Sequence, residues 1–154
     1  MTAATMTHEP TISLPAKPKL RGWLHLGMAP VALIVGLVFT VFAPTLEGRI
    51  GSGIYTLSAV ILFGTSAAYH RGNWTDRGNA IFRRIDHSNI FIFIAGSYTP
   101  LTLTLLEGTP RWTLLILIWS IALLGVVFRT TWLSAPRWLS PCLYIALGSA
   151  AVRR

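Results

Sequence analysis

Apolar residues in this chain neither alternate nor keep to one helical face. They run almost unbroken for about twenty positions at a time, with short arginine-bearing polar stretches between the runs. A helix needs about 20 largely apolar residues to cross the hydrocarbon of a bilayer. Four runs meet that length: residues 23–42, 50–69, 88–106 and 112–131. A fifth, 138–152, is shorter. The Ser, Thr and Gly scattered through the second and third runs suit close helix packing in lipid. Pro30 and Pro100 fall inside runs and predict local breaks in the hydrogen-bond ladder, which neighbouring helices can absorb. The first 16 residues, few in charges and mixed in Thr, Pro and Ala, read as a disordered tail, and residues 17–154 as one transmembrane domain. The first run is too long, and its polar leader too extended, for a cleaved signal peptide. The expected fold class is an all-α membrane protein, a multi-pass helical bundle.

Composition strengthens this reading. Hydrophobic residues make up 53% of the chain and charged residues only 12%, against about 25% charged in soluble domains. The single cysteine, Cys142, excludes an internal disulfide framework. The net charge of +8 raises nucleic-acid binding. Because the basic residues sit between apolar runs rather than on one domain face, no nucleic-acid partner is expected. Their placement instead predicts topology. Lys17, Lys19, Arg21, Arg71, Arg77, Arg83, Arg84, Arg129 and Arg137 fall on one side of the predicted bundle. Arg49 and Arg111 fall on the other, near Glu47 and Glu107. The positive-inside rule then expects a cell-membrane protein with a cytoplasmic N-terminus. Trp23, Trp74, Trp112, Trp132 and Trp138 lie at span ends, as an interfacial aromatic belt requires.

Polar chemistry gathers at the expected cytoplasmic ends of the second and third spans. Ser66 and His70 are four residues apart and share a helical face. Asp86 and His87 open the third apolar run, and Asp86, Asn89 or Ile90, Phe93 and Ser97 share a stripe. An ionisable residue within a membrane is a functional-site hypothesis, because burying it costs several kcal/mol. A carboxylate, an imidazole and a hydroxyl at one depth suit a metal-bound water or a proton relay. Simpler roles are open to each. Asp86 suits an N-cap of the third helix, His87 a headgroup-level position, and Ser66 a bond to the carbonyl one turn back.

Three motifs in order carry a resemblance. They are Ser66-Ala67-Ala68-Tyr69-His70-Arg71, Arg83-Arg84-Ile85-Asp86-His87-Ser88 and Ile94-Ala95-Gly96-Ser97-Tyr98-Thr99-Pro100, preceded by Lys17-Pro18-Lys19-Leu20-Arg21-Gly22-Trp23-Leu24-His25. The chain resembles the hemolysin III family, the bacterial branch of the progestin and adipoQ receptor membrane proteins, over roughly residues 17–148. The resemblance implies a seven-helix bundle and a zinc ion near the cytoplasmic side. It implies His70 as one metal ligand, with two further histidines from a His-x-x-x-His motif on the seventh helix. It implies Asp86 and Ser66 as the groups beside the zinc-bound water, and hydrolysis of a lipid amide as the reaction. Zinc suits such chemistry because it lowers the pKa of its water to about 7.

No histidine follows His87, so the His-x-x-x-His motif is absent from this sequence. Against the family pattern the chain reads as a C-terminally truncated member with four to five of seven helices. It would supply one of three zinc ligands and be inactive alone. His25, at the start of the first run, is another imidazole expected at the same face. The expected partners are membrane lipids, one of them a possible lipid substrate. Two other functions follow from the family: a non-enzymatic membrane protein affecting permeability or lipid homeostasis, associated with haemolysis, and a receptor-like signalling protein.

Overall fold

The computed structural model describes residues 19–131 and Ile145. The N-terminal tail and, apart from Ile145, the expected fifth span lie outside the described residues. Four helices follow one another: α1 (Lys19–Phe42), α2 (Leu46–Arg71), α3 (Asp76–Leu105) and α4 (Gly108–Thr131). All four are long and apolar enough to cross a membrane. Turns this short force successive helices to run antiparallel and side by side. α1 packs on α2, α2 on α3 and α3 on α4, and no other pair of described helices packs together. The described helices thus form a row. Its outer surface is apolar, with Ile34, Phe39, Leu101, Ile116 and Leu124 exposed, as lipid contact requires.

Small residues set the spacing within the row. A Cβ placed on Gly36 of α1 would collide with Thr56 of α2, and one on Gly96 of α3 with Ser58 of α2. At Gly125 of α4 an added Cβ would sit 2.5 Å from Phe91 of α3. Such glycines let backbones approach where the hydrophobic effect cannot drive helix association. Among the described residues an apolar core lies between α3 and α4, built from Phe91, Ala95, Ile118 and Ala122. Hydrogen bonds add cross-links: Asn89 Nδ2 donates to Thr65 Oγ1 at 2.6 Å, and Trp119 Nε1 to Thr99 Oγ1 at 3.1 Å.

One helix exceeds its apolar run. The sequence places the start of the third span at Ser88, whereas α3 begins at Asp76, more than three turns earlier. Thr75 is its N-cap, accepting from the Gly78 amide at 3.3 Å, and Asp76 favours the positive end of the helix dipole. Trp74 fixes the turn. Its indole donates to the Ala68 carbonyl at 3.0 Å and stacks on Phe82 at 3.9 Å between centroids. Residues 76–85 are helical but polar, so a search for apolar runs misses them. Asp86 therefore is not an N-cap; it lies well inside α3.

Candidate functional site

The register of the row brings the sequence-predicted polar residues to one depth. Asn89 meets Thr65, and Gly96 meets Ser58, which sets Asp86 of α3 level with Ala68 of α2. At 1.5 Å rise per residue, Ser66 and His70 each lie about 3 Å along the axis from that level. On the other side of α2, Gly22 meets His70 and Gly36 meets Thr56, which sets His25 near the same level. The His25 ring packs edge-on against Phe63 at 5.5 Å, and the Asp86 carboxylate lies within electrostatic reach of it. His25, Ser66, His70 and Asp86 thus form a belt across three helices. It lies at the end of the row that also carries Arg21, Arg71, Arg77, Arg83, Arg84 and Arg129.

Burial separates the belt's members. Ser66 is 1% exposed and Asp86 6%. The Ser66 hydroxyl has no hydrogen-bond partner, so it does not take up the carbonyl one turn back. Neighbouring Thr65 does, donating to the Ile61 carbonyl at 2.7 Å. The His25 Nδ1 atom is likewise buried without a partner. His70 has both ring nitrogens shielded from solvent, and its ring lies 4.8 Å from that of Tyr69. His87 differs. Its side chain is 37% exposed, its Nδ1 lies 2.6 Å from the Arg83 carbonyl and 4.0 Å from Asp86. Arg71 lies over the Trp23 ring at 3.8 Å, closing the α1–α2 edge of the belt.

A buried carboxylate, an orphan hydroxyl and two imidazoles can move protons and orient a polar group of a substrate. Holding a metal is a stricter demand, since zinc takes three or four protein ligands in catalytic and structural sites. Among the described residues, no three of His, Cys, Asp and Glu come close enough to share one ion. The described residues by themselves do not fit zinc.

Sequence reasoning did not anticipate the pairings that set this register. Ser58 and Thr65 are seven residues apart on α2, and their partners Gly96 and Asn89 are seven apart on α3. Matched seven-residue spacing of small and polar residues in successive spans is the signal that would have found them.

The sequence model of the family described as "Haemolysin-III related" matches residues 15–153. The "Hemolysin-3 homolog" of Bacillus subtilis (strain 168) is 32% identical over 126 residues, covering 79% of this chain and 59% of that protein. "Hemolysin-3" of Bacillus cereus is 31% identical over 117 residues, covering 76% and 53%. The matches span less than two thirds of either relative's length.

Proposed function

Since this multi-pass membrane protein belongs to the haemolysin-III related family, we propose that its polar belt is part of a lipid-hydrolase-type centre. In this reading Asp86 holds or accepts a proton, Ser66 orients a polar group of the substrate, and His70 is a ligand position for zinc. Zinc, were it held here by His70 together with donors beyond the described residues, would supply the activation of water for amide cleavage. The described residues offer too few donors for it, so the remaining ligands come from elsewhere. The arginine-rich end faces the cytoplasm, because nine of the eleven basic residues from Lys17 to Arg137 flank the spans on that side.

One observation carries the proposal: Asp86 and the unpartnered Ser66 hydroxyl are both buried at one depth of a membrane bundle. Each is costly there and neither holds the helices together, which is the signature of groups kept for chemistry. Metal analysis tests it. The 154-residue chain is expected to purify with well under one zinc per chain. The longer Bacillus subtilis relative is expected to carry zinc and to lose it when the histidine matching His70 is replaced by Ala. A relative free of zinc overturns the metal assignment.

A second reading is favoured by the relatives' names, which describe haemolysins, and by the sparse donor set. In it the protein alters membrane permeability without catalysis. Asp86→Asn separates the two. A hydrolase loses its effect on erythrocytes with this substitution, and a permeabiliser keeps it.

A further inference from the structure

At the end of the row opposite the belt, the C-terminus of α1, the first turns of α2, the C-terminus of α3 and Arg111 in the first turn of α4 line an open cavity of about 780 Å³. An adjoining cavity of about 370 Å³ opens between α2, α3 and α4, and Glu47, Leu103 and Arg111 belong to the walls of both. The first cavity is of the size of small-molecule sites and has two chemically distinct parts. Val38, Phe39 and Phe42 give it an apolar side. Glu47, Glu107 and Arg111 give it a charged rim. Among the described residues no ion pair joins Glu47, Glu107 or Arg111. Arg111 is positioned through its Nε, which donates to the Leu106 carbonyl at 2.6 Å. That single bond leaves the terminal nitrogens of the guanidinium without a hydrogen-bond partner among the described residues.

We propose that this cavity binds the headgroup of a phosphatidylethanolamine-type lipid. Arg111 takes the phosphate, Glu47 and Glu107 take the primary ammonium, and the apolar side holds the start of an acyl chain. The choice follows from charge. The two carboxylates and one guanidinium that line it complement a ligand with one anionic and one cationic group, and Arg49, whose Nε donates to the Ala43 carbonyl at 3.0 Å, balances the charge beside the wall. Carboxylates also reward a cation that donates hydrogen bonds, which a primary ammonium does and a quaternary one does not. Nothing in this inference depends on the hydrolase reading, because it concerns the other end of the molecule and needs no turnover.

Lipid retention tests it. The full chain is reconstituted in bilayers with equal parts of phosphatidylethanolamine, phosphatidylcholine and phosphatidylglycerol. Lipids that stay bound through purification are then counted by native mass spectrometry. Phosphatidylethanolamine is expected to exceed phosphatidylcholine by about tenfold, the scale of a charge-assisted hydrogen bond. The Glu47→Gln, Glu107→Gln double variant is expected to retain the two equally. A headgroup series with one, two and three N-methyl groups tests the same claim on the unmodified chain, with retention falling at each step. Soluble phosphoethanolamine at matched concentration is expected not to displace the lipid. Equal retention of ethanolamine and choline lipids by the unmodified chain, preferential retention of phosphatidylglycerol, or full displacement by phosphoethanolamine overturns the proposal.

Discussion

At the scale of single residues, the glycines divide sharply by what surrounds them. Gly96 lies against Ser58, whereas a Cβ on Gly27 of α1 would meet nothing within 4 Å. Gly96→Val should therefore cost about 1–3 kcal/mol through overpacking. Gly27→Ala should gain up to about 1 kcal/mol through helix propensity. Unfolding of the purified chain in mixed micelles measures both. The Asn89–Thr65 hydrogen bond, at 2.6 Å, fixes the register that brings Asp86 beside α2. A double-mutant cycle of Asn89→Ala with Thr65→Val should return a coupling of about 0.6 kcal/mol, the usual size of such bonds in membranes. A coupling of zero would mean that the glycine contacts set the register alone.

At the scale of elements, α3 shows both how far the sequence is legible and where it stops. Residues 88–106 announce a span by unbroken apolarity, and the structure has a helix there. Residues 76–85 carry Arg77, Asn79, Arg83 and Arg84 and announce nothing by hydropathy. Their helicity rests on the Thr75 cap and on Trp74 stacking against Phe82. Thr75→Ala should weaken the helix by about 1 kcal/mol. The measurable result is faster amide hydrogen exchange over residues 78–85, with residues 91–99 unaffected. The polar motifs containing Ser66, His70 and Asp86 could be read directly from the sequence. Their gathering at one end of the spans could be read as well, but the register that levels them could not, because it depends on contacts between residues more than twenty positions apart.

At the scale of the whole molecule, the two ends of the row differ in chemistry. One end has the arginines and the buried belt; the other has Glu47, Glu107 and Arg111 around a cavity. Segments from four helices meet at that cavity, so no single stretch of sequence reveals it. The charge asymmetry was legible, and it makes a topological prediction. Alkaline phosphatase fused after Pro44 should be active, and the same enzyme fused after Asn73 inactive, because it folds only outside the cytoplasm. The reverse pattern would invert the orientation of the belt. The central claim is that the belt is kept for chemistry and not for packing, and Ser66→Ala tests it most directly. The Ser66 hydroxyl is buried and unpartnered, and leaving such a group unpaired costs about 1–3 kcal/mol. Reversible unfolding of the purified chain should show Ser66→Ala equal to or more stable than the unmodified protein. A loss of more than about 1 kcal/mol, the worth of an ordinary hydrogen bond, would show that Ser66 holds the helices together and would contradict the account.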